Sequence, residues 1–125
     1  MSGLKVLELK KYMKFSDDGR CVNHLYHSPL SDVLLVCWEP EQISSYHDHG
    51  ESESIVYVLE GNITVMSHGT THRFAAGNVV VTPKGVKHQL SNPGTERAKT
   101  LHFYAPTLPS PAGSPPLNDF TEQFA

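Results

Sequence analysis

His47 and His49 stand one residue apart in YHDHGESESIVYVLEG, residues 46–61. Alternation along an extended chain turns both imidazoles to one side. Two imidazoles on one side begin a divalent-metal site, and a third is needed to close a face of the ion. His88 is the candidate. It follows GNVVVTPKGVKHQLSN, where Gly77, Pro83, Gly85, His88 and Asn92 make a frame that ends a strand, turns, and re-enters the sheet carrying one histidine. A carboxylate from Glu51 or Glu53 is the alternative further ligand. Such a face suits iron(II) with open positions for oxygen activation; zinc, manganese or nickel acting as a Lewis acid fits the same ligands.

A second set of polar side chains alternates in KTLHFY, where Thr100, His102 and Tyr104 share one face. Tyr104, a phenol with an ordinary pKa near ~10, is the candidate catalytic proton donor. His102 is read as orienting it rather than binding metal. Trp38 is expected in the core or pocket wall. His24 is a candidate hydrogen-bond partner for a substrate, and His68 and His72, flanking the turn SHGTTH, are expected in solvent.

These residues need a sheet to aim them. LKVLEL (4–9), VLLVCW (33–38), IVYVLE (55–60), ITVMS (63–67), VVVT (79–82) and KTLHFY (99–104) read as strands, rich in β-branched and aromatic residues. Turn signals separate them at DDG, EGN, SHG, AAGN, PKG and NPG. No stretch carries a helical face of three turns. Short, closely spaced strands in 125 residues predict one all-β domain, a sandwich or barrel. From Ala105 onward APTLPSPAGSPPL is too proline-rich to pair inside a sheet. The expected division is a barrel over 1–106 and a tail over 107–125, whose Phe120 and Phe124 can dock on the body or on a second subunit.

With a formal charge of −3 and scattered lysines and arginines, nucleic acid is an unexpected partner. The N-terminal MSGLKVLELKKYMKF has no apolar run long enough for a signal peptide or a membrane span, so a cytoplasmic protein without membrane attachment is expected. Cys21 and Cys37 are expected as reduced thiols.

The two histidine stretches resemble the two motifs of the cupin family. The second matches at Gly77, Pro83, Gly85, His88 and Asn92; the first matches at His47, His49 and Gly61. The first departs where Glu41 replaces a glycine and where Ser54 replaces the family's glutamate ligand. The missing glutamate, the lead-in LLVCWEPEQISSYHDHGESES and the closing KTLHFYAP resemble the cysteine dioxygenase-like thiol dioxygenases within that family, over roughly residues 20 to 106. The resemblance implies a single-domain cupin β-barrel (a double-stranded β-helix, jelly-roll-like) holding iron(II) on His47, His49 and His88. It implies a dioxygenase acting on a small thiol with O2, and a homodimer.

In that branch an early-strand arginine holds a substrate carboxylate. The alignment puts Asn23 there, with Arg20 three residues off and on the other face of a regular strand. A pocket without a positive group favours a neutral or amine-bearing thiol over an amino acid. The same barrel also fits an isomerase, lyase or hydrolase on another metal, or a binding protein whose metal anchors its ligand.

Overall fold

The computed structural model describes residues 3–108. Eight strands follow in order: β1 (Cys21–His27), β2 (Asp32–Trp38), β3 (Glu53–Glu60), β4 (Asn62–Ser67), β5 (Thr70–Ala75), β6 (Val79–Thr82), β7 (Gln89–Ser91) and β8 (Ala98–Ala105). They form a five-stranded sheet, β1-β2-β8-β3-β6, facing a three-stranded sheet, β5-β4-β7. All pairings are antiparallel. The arrangement is the expected all-β jelly roll.

The core between the sheets is built from Val36, Trp38, Val58, Ile63, Val65, Leu90 and Ala98. Even-numbered residues of β2 and β8, and of β3 as far as Val58, point inward, as the period of two requires. In β2 the odd positions Leu35 and Cys37 are buried as well, so its apolar run does not alternate. The cover on that outer side comes from Leu7, Leu9, Tyr12, Met13 and Phe15, which pack on Leu25, Leu35 and Cys37.

This corrects the reading of LKVLEL as a strand. Residues 4–8 join no strand among the described residues, and a 3-10 turn follows at Leu9–Tyr12. The outer edge of β1 stays unpaired, and the segment lays Leu7 and Leu9 across the sheet face instead of adding a strand there. Leu4 and Val6 remain 68% and 79% exposed. β1 and β5 are strands that the pattern of apolar residues did not announce; β5, TTHRFA, is almost wholly exposed.

Two tight connections fix the geometry. His68 and Gly69 both adopt positive φ, 52° and 77°, and make the two-residue hairpin turn between β4 and β5. At Gly61, φ is 82°, and a Cβ there would meet the Arg97 carbonyl oxygen at 2.6 Å. Glycine alone fits between β3 and the start of β8. Glu41, where the first motif has its glycine, also takes a positive φ of 69°.

At one end of the sandwich the chain beyond β8 folds over the opening. Leu108 is buried against Leu34 and Tyr104. Asp32 accepts hydrogen bonds from the Thr107 hydroxyl and the Leu108 amide, with His27 Nδ1 2.6 Å away. Ser52 Oγ donates to the Pro106 carbonyl at 2.7 Å. The expected division of the chain near residue 106 thus falls where Pro106–Leu108 is tied to the body. Phe120 and Phe124 lie outside the described residues.

Candidate metal centre

The loop between β2 and β3 runs beside β7 and the residue before it, meeting them at two isolated bridges, Ile43 with Ser91 and His47 with His88. In the second bridge each histidine amide donates to the other's carbonyl, at 3.0 and 2.9 Å. That reciprocal pair sets His47 and His88 directly opposite one another with their side chains on the same side. His49 is brought in by a turn, its carbonyl accepting from the Ser52 amide at 3.0 Å. His47 and His49 therefore share a face as expected, but on a pinned loop rather than within a regular strand.

The three rings are 7%, 3% and 3% exposed, and one ligand nitrogen from each lies within 4.8 Å of the others. Their tautomers follow from the hydrogen bonds. His88 Nδ1 donates to the Val86 carbonyl at 2.9 Å, and His47 Nδ1 to the Ser45 carbonyl at 2.7 Å. In the neutral ring this leaves Nε2 as the lone-pair nitrogen of each. Burial, with the neighbouring His88 and His47, pushes His49 down to about 3. Burial lowers His88 too, against the Val86 hydrogen bond and the Asp48 charge, which raise it. So His49 and His88 are neutral near pH 7, as a metal requires.

The nitrogens fit a divalent ion on this structure's own terms. His49 Nε2 lies 3.0 Å from His88 Nε2, and the second of these is a lone pair. A proton on His49 can satisfy that one contact; a cation among the three nitrogens satisfies all of them together. No carboxylate joins the cluster among the described residues. Glu51 is exposed and paired with Lys84 at 3.2 Å, and Glu53 points outward from β3. Ser54, in the glutamate's place, is inward and 1% exposed. The frame residue Asn92 is structural: its amide donates to the Trp38, Glu39 and Glu96 carbonyls and so ties the end of β2 to the turn before β8.

Beside the cluster, Tyr104 stacks on His49 with ring centroids 4.7 Å apart. Behind it runs a buried chain: Trp38 Nε1 to Thr100 Oγ1 at 2.9 Å, Thr100 Oγ1 to His102 Nε2 at 2.6 Å, His102 Nδ1 to Tyr104 Oη at 2.8 Å. Its direction can be deduced. Indole N–H only donates, so Thr100 accepts from Trp38 and gives its own proton to His102 Nε2. His102 then carries its proton on Nδ1 and donates to the tyrosine oxygen, leaving the phenol proton directed away from His102. Burial holds His102 well below the usual histidine range, with the Arg20 charge acting the same way. Burial raises Tyr104 well above the usual phenol range, against the Arg20 charge and with Asp32. Tyr104 is thus a protonated donor, and His102 a neutral link outside the metal cluster.

The structure reverses one expectation about β1. Asn23 faces outward, its amide donating to the Leu35 carbonyl at 3.1 Å beside Cys37. Val22 and His24 share the inner side, opposite Val36 and Leu34. Arg20, two residues before Val22, lies on that inner side, its guanidinium 5.9 Å from the centre of the buried Trp38 ring. Parity counted from Asn23 assumed that Asn23 pointed inward; it does not. Cys21 and Cys37 are free thiols directly opposite each other on β1 and β2, and burial pushes Cys37 up to about 11. His68 and His72 are exposed, as expected.

The fold and the three-histidine cluster define a small β-sandwich protein with a candidate divalent-metal centre between its sheets. Residues 34–104, more than half of the chain, match the cupin domain family, and the chain belongs to that family. It is 32% identical over 78 residues to the polyketide synthase CurC of Streptomyces cyaneus, covering 62% of this chain and 51% of that protein. It is 32% identical over 72 residues to the protein SchB of Streptomyces halstedii, covering 58% and 52%. The chain thus spans about half the length of these curated relatives. Among solved structures it resembles a Klebsiella pneumoniae protein with a double-stranded β-helix domain (TM-score 0.77, 19% identity, 82% and 90% of the two chains). It also resembles TT1209 of Thermus thermophilus (0.77, 23%, 82% and 98%). No helix among the described residues is long and apolar enough to cross a membrane.

Proposed function

We propose that the chain is a non-haem iron(II) dioxygenase of the cysteine dioxygenase-like kind, converting a small thiol and O2 to the sulfinic acid (R–SH + O2 → R–SO2H). One observation carries the reading: a closed face of three buried imidazoles with no carboxylate among the described residues, where Ser54 takes the usual glutamate's place. Iron(II) held by His47, His49 and His88 would keep its full charge and supply adjacent positions for a thiolate and dioxygen. The protein's own part is positioning. Asn92 and the His47–His88 backbone pair hold the ligands' supporting loops. Tyr104, kept protonated by burial and directed by the Trp38–Thr100–His102 chain, donates its hydrogen bond beside His49. Arg20 offers a cation on the inner face for a substrate carboxylate. That favours an acidic thiol over cysteamine.

The test is oxygen uptake by anaerobically iron(II)-loaded protein offered 3-mercaptopropionate, cysteine and cysteamine. Uptake with an acidic thiol that vanishes in His88→Ala supports the proposal. No uptake with any thiol, in protein shown to hold iron, overturns it. A second reading is favoured by the likeness to the polyketide synthase CurC: zinc, manganese or nickel on the same histidines, acting as a Lewis acid on a polyketide-derived carbonyl in an isomerase, lyase or hydrolase reaction. Turnover of a β-polyketone by the zinc-loaded but not the iron-loaded protein would favour it.

A further inference from the structure

The two sheets are not hydrogen-bonded to one another along β5 and β6, the edge strands on that side. Between them opens a cleft of about 210 Å³. Its walls are Val65 and Phe74 from the small sheet, Val80 and Thr82 from β6, and Val86 from the turn that follows; the metal-cluster residue His88 also lines it. A cavity of roughly 150 Å³ with apolar walls is enough to hold a benzene ring.

A second observation points to a ligand at the inner side of this cleft. Ser54 is the register partner of Thr82 on one side and of Tyr104 on the other. It is 1% exposed, and its hydroxyl has no hydrogen-bond partner among the described residues. Buried hydroxyls are as a rule satisfied, and the exception asks for a group that comes from outside. The charges narrow the class of that ligand. Arg20 is a cation on the inner face, while the acids nearest to it and to the cluster among the described residues are engaged or exposed, Asp48 accepting from the Gly50 amide at 2.8 Å. Asp32 is occupied by His27, Thr107 and Leu108, and Glu51, Glu53 and Glu60 are exposed.

Resting on the dioxygenase reading, we infer that this cleft seats the body of the substrate, and that the substrate is a mercapto acid with an apolar, ring-sized body and no ammonium group, an acceptor atom of which accepts a hydrogen bond from the Ser54 hydroxyl. Free cysteine, compact and zwitterionic, fills neither the cleft nor the charge pattern.

The test compares 2-benzyl-3-mercaptopropionate, 3-mercaptopropionate and cysteine, titrated into cobalt(II)-loaded protein and followed by the thiolate-to-metal absorption band. The benzyl compound should bind at least tenfold more tightly than 3-mercaptopropionate, and cysteine more weakly than both. Val80→Trp and, from the other side, Val86→Phe should each erase the benzyl preference and leave 3-mercaptopropionate within about twofold. Two variants guard against one failing to fold. Ser54→Ala should weaken both mercapto acids severalfold without changing cobalt stoichiometry. Equal or weaker binding of the benzyl compound by the wild type, or a preference that survives both variants, overturns the inference.

A failure of the thiol reading is separable. If no thiol gives a band, 3-phenylpropionate and propionate are titrated into metal-free protein and followed by backbone amide shifts. Shifts at Val65, Phe74 and Val80 confined to the phenyl acid uphold the apolar cleft and discard the thiol; their absence discards the cleft as well.

Discussion

Thr100→Val tests the deduced direction of the buried hydrogen-bond chain. Valine matches threonine in shape and favours a strand, so by packing alone the change is benign. By the hydrogen-bond argument it is not. Trp38 Nε1–H would lose its acceptor and His102 Nε2 its donor, both inside the fully buried core. A buried group left unsatisfied costs about 1–3 kcal/mol, so the two together cost about 2–6 kcal/mol. Thr100→Ser keeps the hydroxyl and loses one buried methyl, about 1 kcal/mol. The predicted order of stability is therefore wild type, then Ser, then Val, the reverse of what packing gives. The assay is urea unfolding of metal-free protein at pH 7.5, read by the fluorescence of Trp38, the single tryptophan. Nitrogen-15 shifts of His102 give a second readout, since only the hydroxyl variants should hold the proton on Nδ1. A Val variant as stable as the Ser variant would refute the reasoning.

Four further expectations can be checked on the metal-free protein. The unfolded chain protonates at the ordinary histidine value near 6.5 and folded His49 not until about 3, so stability is lost as pH falls through that window. At pH 5 the loss from His49 is about 2 kcal/mol, and His49→Gln should flatten the pH dependence of the urea midpoint. Glu41→Gly should stabilise by about 0.5–1 kcal/mol, because a side chain at φ 69° carries a left-handed backbone penalty that glycine lacks; a lower melting temperature would contradict this. Gly61→Ala should cost about 3 kcal/mol or more, since its Cβ would lie 2.6 Å from the Arg97 carbonyl oxygen; a variant melting within two degrees of wild type would count against the close approach. Asp32→Asn would turn an amide toward the Leu108 N–H and weaken charge-assisted bonds, costing about 2–4 kcal/mol and exposing the chain after residue 105 to protease; an unchanged cleavage rate would argue against this anchor.

The histidine cluster was legible because its frame is local. Gly77, Pro83 and Gly85 punctuate the chain before His88, and β6, VVVT, falls where its residues place it. β8 was legible from alternation, and with it the shared face of Thr100, His102 and Tyr104. What stayed hidden depended on neighbours distant in sequence. Leu4–Leu9 carries a strand's residues, yet Leu7 and Leu9 pack on the face formed by Leu25, Leu35 and Cys37 instead of pairing along the outer edge of β1. Asn23 and Arg20 were assigned to the wrong sides because parity needs an anchor, and that anchor is the pairing of Val22 with Val36. β5 lacks an apolar stripe because β4 alone holds it in place. Glu41 marked a departure from the family pattern; its positive φ supplies the physical meaning of the glycine it replaces.

The position of β8 governs when this molecule can exist at all. It lies between β2 and β3, joining one half of the large sheet to the other, and it supplies Thr100, His102 and Tyr104. During synthesis β2 and β3 must wait, unpaired on that side, until residue 105 has emerged, so the barrel closes late and in one event. A chain stopped at residue 97 would retain all three metal-cluster histidines yet lack the strand that joins the halves. Supplied separately as a peptide, residues 98–108 would be the piece that restores it.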